Sequence, residues 1–216
     1  VATNPDDSSI EARHAELNQN LWDSWAPNFD KKRFGIFRIL QKKAIALAKL
    51  QPDQNFLDVG CGTGWAVIQA AHAVGPGGTA IGIDLSEKMI ERAVANGKDT
   101  PNARFHVANA ELMPLEDNFF DCIICTNSFH HYLHPAVALA EMYRILKTAG
   151  RVIILDVEKD DTFMRFVDRV TQKFEPEHVS LYSKKEFQDL FESAGLAYTA
   201  TKLVFPFLKA HMAEKR

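Results

Sequence analysis

Cysteine is scarce in this chain: three among 216 residues, an odd number that leaves no complete disulfide framework. All three lie in strand-like or turn segments. Cys122 and Cys125 have the spacing of a C-x-x-C pair, but three residues apart on a strand their side chains point to opposite faces. A zinc or redox role is disfavoured, no metal is expected, and the chain reads as a reduced, cytoplasmic protein. Long runs of one charge are also missing. Net charge is -3, and Lys31-Lys32-Arg33 and Lys184-Lys185 are no longer than solvated helix ends, so no electrostatic footprint for nucleic acid is present. No apolar run reaches the length of a membrane-spanning helix, so no integral membrane segment is expected, and Val1 to Glu16 is polar rather than signal-like. Since the chain opens on Val1, an initiator residue is expected to be missing. Repeats and low-complexity tracts are absent.

A hydrophobic fraction of 46% and a charged fraction of 25% suit one soluble α/β domain over residues 1–216. Apolar strands alternate with amphipathic helices from residue 50 onward, which predicts βαβ units and a parallel sheet. The expected strands are Asn55–Val59, Thr79–Ile83, Arg104–Val107, Asp121–Thr126 and Arg151–Asp156, each apolar through its centre as strands covered on both faces are. Ser86 is an expected N-cap for a helix burying Met89, Ile90, Ala93 and Val94. Leu139, Met142, Tyr143 and Leu146 mark another, closed by Gly150 in a left-handed cap. Ser183-Lys184-Lys185-Glu186 spells a capping box before Phe187, Leu190, Phe191 and Ala194, with the stop at Gly195. Two further strands, Ala197–Phe205 and Phe207–Ala213, flank Pro206.

The densest signal is Phe56-Leu57-Asp58-Val59-Gly60-Cys61-Gly62-Thr63-Gly64, followed by Ile81-Gly82-Ile83-Asp84. Alternating glycines let a strand turn sharply and approach a ligand, and the next helix aims its N–H groups at an anionic group. An acid ending the second strand can accept hydrogen bonds from both hydroxyls of a ribose. An adenosine-containing cofactor fits this arrangement, although three glycines after a strand also occur in ordinary βα turns. In the dinucleotide pattern G-x-G-x-x-G the third glycine falls one residue later; here Trp65 occupies that position. Asp58, two residues before the first glycine, would repel a pyrophosphate and hold a cationic amine. S-adenosylmethionine (SAM) carries an ammonium, a carboxylate and a ribose, and matches better than NAD.

On these residues the chain resembles the class I SAM-dependent methyltransferases, whose first motif reads much like Leu57 to Gly64. The resemblance implies a three-layer Rossmann-like sandwich with a seven-stranded, mostly parallel sheet ordered 3-2-1-4-5-7-6 and ending in an antiparallel hairpin. It implies a helical lid over 1–49, a SAM-binding core over 50–156, a substrate-side insertion over 157–182, and a terminal helix and hairpin over 183–216. Cofactor contacts carry over onto Asp58, Gly60, Cys61 and Gly62 at the first turn, and onto Asp84, Leu85 and Met89 after the second strand. They continue at Asn109, Ala110 and Glu111 after the third strand and at Asn127 after the fourth. Many relatives have Asp where this chain has Asn109, whose amide oxygen can still accept from the adenine amino group without charge assistance.

The loop Thr126-Asn127-Ser128-Phe129-His130-His131-Tyr132 resembles the paired-histidine segment of small-molecule methyltransferases, the group that includes quinone C-methyltransferases. The Asn-Pro-Pro-Tyr or Asp-Pro-Pro-Tyr tetrad of nucleobase amine methyltransferases is missing, as is the Pro-Cys nucleophile of cytosine C5 enzymes. His130 or His131 is a candidate general base, or one packs beneath the loop while the other faces water. His130 and His134 stand four residues apart, but Pro135 follows and no third ligand lies near, so a metal is not expected. Trp22, Trp25 and Phe29, within Trp22 to Asp30, are candidates to close over cofactor and substrate, or simply to pack the lid. The expected partner is a small-molecule methyl acceptor; a homodimer is compatible. A SAM-binding protein without transferase activity, an NAD oxidoreductase and an arsenic methyltransferase are the rival readings. The last needs accessible thiols.

Overall fold

The computed structural model describes residues 5–29, 35–160, 162–174, 179–205 and 207–216. Asp30, Lys31-Lys32-Arg33, Phe34 and Pro206 lie outside them. Seven strands form one sheet: β1 (Asn55–Val59), β2 (Thr79–Asp84), β3 (Ala103–Val107), β4 (Phe120–Thr126), β5 (Leu146–Val157), β6 (Leu196–Phe205) and β7 (Leu208–Lys215). Their order is β3-β2-β1-β4-β5-β7-β6. Pairings from β3 through β5 are parallel, while β7 runs antiparallel to both β5 and β6. The expected sheet, including the hairpin, is present.

Among the described residues seven α-helices accompany it: α1 (Pro5–Trp25), α2 (Gly35–Ala48), α3 (Trp65–Val74), α4 (Glu87–Gly97), α5 (Pro135–Ile145), α6 (Thr162–Phe174) and α7 (Lys184–Ser193). Alternation along each strand sends apolar side chains to both faces, which makes two cores. On one face Leu57, Val59, Ile123 and Cys125 meet Leu139 and Met142 of α5 and Phe187 and Phe191 of α7. On the other, Phe56, Cys122 and Ile124 meet Leu40 and Ala44 of α2 and Val67 and Ala70 of α3. Cys122 and Cys125 therefore fall on opposite faces, as their spacing predicted.

Local chemistry explains the helix ends. The Ser86 hydroxyl accepts from the Met89 N–H at 3.1 Å and so caps α4. At α7 the capping box closes, with Ser183 N–H donating to Glu186 Oε2 at 2.7 Å; such a cap contributes about 1 kcal/mol. Val94 departs from expectation. It is 53% exposed while Met89, Ile90 and Ala93 are buried, because the buried stripe of α4 runs on to Gly97 instead. Gly150 also corrects the sequence reading. Helix α5 stops at Ile145, Leu146 already pairs with Phe120, and residues before Arg151 bulge out of the ladder. Ala149 takes the left-handed conformation there, and a Cβ on Gly150 would lie 2.8 Å from the Leu146 side chain. Close approach, not capping, explains that glycine.

The N-terminal segment divides in two. Leu40, Ala44 and Ala48 make α2 part of a core layer, whereas α1 rests on α4 above the carboxyl edge of the sheet.

Candidate active site

Strand order reverses between β1 and β4, and ligands in open α/β sheets bind outside the strand ends at such a point. Here β1 runs into the glycine turn. Gly60 and Cys61 N–H groups both donate to Ile83 O at 2.9 Å, tying the turn to β2. Gly60 has φ +77, and a Cβ there would sit 2.4 Å from Ser128 Oγ, so the β1 turn and the loop after β4 touch through a missing side chain. Gly64 has φ +82, and a Cβ would lie 2.6 Å from Phe105 Cε1 and 2.9 Å from Ala93 Cβ. Gly64→Ala is expected to cost about 2–5 kcal/mol from left-handed strain plus overpacking, read as a lower urea midpoint.

Asp84 closes this frame. Its Oδ2 accepts the Gly62 N–H at 2.8 Å and its Oδ1 the Ser86 N–H at 2.9 Å. Burial raises its pKa, the two N–H groups oppose that, and Asp23 raises it again. Each oxygen keeps lone-pair capacity for a further donor. Asp23 belongs to α1. Its Oδ1 accepts from Ser86 Oγ at 2.5 Å and from Lys88 N–H at 3.3 Å, pinning α1 to the positive end of α4.

Asp58 is 1% exposed, and neither carboxylate oxygen has a hydrogen-bond partner among the described residues. Burial, then the charge of Asp84, pushes its pKa up to about 8. A buried carboxyl with both oxygens unsatisfied is costly and rare. It calls for a cationic donor from outside the chain.

A cavity of about 440 Å³ opens above these groups, within the range of roughly 300–1,000 Å³ typical of small-molecule sites. Its floor is Gly60, Gly62 and Asp84; Leu85, Met89, Asn109, Ala110 and Glu111 form one wall; Asn127, Ser128, His131 and Tyr132 form another. Trp22 and Phe29 roof it with Phe37. Most of the residues singled out in the sequence therefore share one space.

Four do not line it. Asp58 lies beneath the turn. The Cys61 side chain is fully buried beside Gly82, so only its backbone belongs to the turn. Trp25 turns outward, 37% exposed, with its ring edge-on to Trp22 at 5.3 Å. His130 is held under the loop: Asp156 Oδ1 lies 2.8 Å from its Nδ1, and Asp156 Oδ2 accepts its backbone N–H at 3.2 Å. Burial alone would raise the Asp156 pKa, yet the charge and hydrogen bond of His130 hold it below the usual carboxylate value. The 157–182 insertion also contributes no lining residue among those described. It braces the loop from outside, Val179 N–H donating to His130 O at 3.1 Å.

The sequence reading missed other groups. Tyr132 lines the cavity, its hydroxyl 3.2 Å from Ser128 Oγ and 3.3 Å from Cys125 Sγ; burial keeps the phenol neutral. Asn18, one turn from Trp22 on α1, lines the roof with its amide oxygen buried and unpartnered. Asp156 had a legible signal, an apolar strand ending in an acid as at Asp84. Tyr132 and Asn18 had none.

A methyl donor bearing an ammonium, a ribose and a purine fits these residues: an orphaned buried carboxyl, a cavity-lining acid with lone pairs to spare and a glycine floor. The methyltransferase domain model matches residues 50–195. The uncharacterized methyltransferase YcgJ of Bacillus subtilis is 32% identical over 158 residues, 71% of this chain and 61% of that protein. The ubiquinone/menaquinone biosynthesis C-methyltransferase UbiE of Francisella tularensis subsp. novicida is 35% identical over 133 residues, 60% of this chain and 53% of that one. The chain thus spans less than two thirds of these relatives. The YcgJ crystal structure superposes with a TM-score of 0.69 at 25% identity, covering 83% of this chain and 99% of that one. A SAM-dependent methyltransferase from Aquifex aeolicus gives 0.71 at 22% identity, 88% and 97% covered, a likeness of fold alone. Frame, cavity and relatives agree, and the chain belongs to the class I SAM-dependent methyltransferases, with SAM as its cofactor.

Proposed function

We propose that this protein transfers a methyl group from SAM to an oxygen, nitrogen or carbon nucleophile of a small molecule by in-line displacement. The observation that supports this reading is a single cavity joining the glycine floor and Asp84 to a wall of Trp22, Phe29, His131 and Tyr132. SAM, when bound, supplies a methyl group already activated on a sulfonium, so alignment and exclusion of water are the protein's main tasks.

Asp84 offers its remaining lone pairs to the ribose hydroxyls, and Asp58 is the counter-charge for the ammonium. Asn109 uses one lone pair internally, on the Glu111 N–H at 2.9 Å, and keeps the other for the adenine amino group. Trp22 and Phe29 present aromatic surface that favours a cation and sheds water. His131 accepts the proton of an un-ionised acceptor. Its ring stands edge-on to Trp22 at 5.4 Å and 4.1 Å from the ring of His130. His130, anchored on Asp156, positions it.

Methyl transfer to a panel of phenols, amines and activated carbon acids tests the reading; the likeness to UbiE keeps carbon acceptors in that panel. Turnover on one class is expected. His131→Ala is expected to lower kcat on a protonated acceptor by about 100-fold or more while SAM affinity holds. Tight SAM binding without transfer to any class would favour the alternative, a SAM-binding regulatory or interaction protein.

A further inference from the structure

Helix α6 presents its most hydrophobic stripe to solvent. Phe163, Phe166 and Val170 recur at i, i+3 and i+7, and the first two are 63% and 64% exposed. The protein instead covers the neighbouring stripe, where Met164 and Asp168 are buried. Asp168 is the only acid of α6, and its Oδ1 accepts the Leu181 N–H at 2.8 Å. On the other flank Arg165, Arg169 and Lys173, spaced by four, are all exposed. Apolar and basic stripes therefore lie side by side on one outward face.

The hairpin turn extends this face. Phe207 is 44% exposed, with its ring centroid 6.2 Å from that of Phe163. Phe205 is also exposed. The location matters as much as the chemistry. Strand β5 is parallel to β4, so α6, which follows β5, lies at the carboxyl edge where the cavity opens. Leu208 pairs with Val157 at the end of β5, which brings the β6–β7 turn to the same edge.

We propose that α6, with Phe205 and Phe207 beside it, docks this edge of the protein onto an anionic lipid surface. Contiguous exposed aromatics flanked by arginine and lysine, on a helix lying flat, are what interfacial binding requires. Charge complementarity selects the occupant. The exposed charges of α6 are all positive, so pairing this face with its own copy across a two-fold axis would set the same cations against each other, whereas an anionic bilayer complements them. No helix among the described residues is long and apolar enough to cross a membrane, so the attachment is peripheral.

Co-sedimentation with vesicles tests this. The full chain is mixed with phosphatidylcholine vesicles and with vesicles of equal parts phosphatidylcholine and phosphatidylglycerol. Binding to the second only is expected, weakening as salt rises from about 0.1 to about 0.5 M. Phe163→Ser with Phe166→Ser, and separately Arg169→Glu with Lys173→Glu, are expected to lower the bound fraction about tenfold or more while SAM affinity by calorimetry is unchanged. Absence of wild-type binding to anionic vesicles overturns the proposal, as does binding that both variants retain. So does a wild-type dimer that the serine variant turns into a monomer, since a second copy would then cover the face. SAM binding is read separately, so its failure would count against the proposed function and not against docking.

Discussion

Replacing Asp84 by alanine lowers SAM affinity by about 100-fold or more, because the carboxylate serves on two sides at once. Its oxygens hold the Gly62 and Ser86 N–H groups at 2.8 and 2.9 Å, and their remaining lone pairs are the proposed ribose acceptors. Losing two charge-assisted hydrogen bonds of about 1.5–3 kcal/mol each predicts this magnitude, and two orphaned N–H groups loosen the turn as well. Asp84→Asn retains one acceptor oxygen and falls between. Calorimetric titration measures both. An alanine variant within about threefold of wild type would remove Asp84 from the site.

Asp58→Asn has a large effect of opposite sign on stability and binding. The pKa of Asp58 is raised from 3.8 to about 8, so between those values the folded state holds a proton that the unfolded state has released. Stability from this group therefore falls as pH rises through that window, by up to about 1.4 kcal/mol per unit, and levels off above it. The asparagine variant lacks this term. Without cofactor its melting temperature matches wild type near pH 4 and exceeds it by several degrees near pH 8. SAM affinity falls at the same time, since the ammonium loses its counter-charge. In wild type at pH 7, cofactor binding ionises Asp58 and releases close to one proton, visible as buffer-dependent binding enthalpy. A variant no more stable than wild type at pH 8 would mean that Asp58 is ionised without cost in the apo protein.

Much of this was legible in the chain. Short apolar strands bounded by turn residues located β1 to β4 within a residue; β1, β2 and β4 are buried on both faces and leave an apolar run, whereas β3, at the sheet edge, is largely exposed and does not meet the expectation of a strand covered on both faces. Asp58, Gly60 and Asp84 were legible because their chemistry sits in two short motifs, residues 56–64 and 81–84, each ending an apolar strand. What failed depended on neighbours. Gly150 looked like a cap until the Leu146–Phe120 pairing turned it into part of a bulge. Val94 matched the apolar stripe of α4 by spacing, but it is 53% exposed. His130 and His131 are indistinguishable in sequence; only Asp156, 26 residues on, decides which imidazole is anchored and which lines the cavity. The described residues of the 157–182 insertion line no part of the cavity and brace the loop after β4. Its uncovered stripe is legible as amphipathic, but not as facing outward.

Titration of the purified protein with SAM, S-adenosylhomocysteine and NAD by calorimetry tests the central claim most directly. One-to-one binding of the first two with proton release at pH 7, and none of NAD, is the predicted result. Failure of SAM to bind, or NAD binding in its place, would contradict it: the glycine turn would then be only a structural bend, or Asp84 would hold the ribose of a dinucleotide.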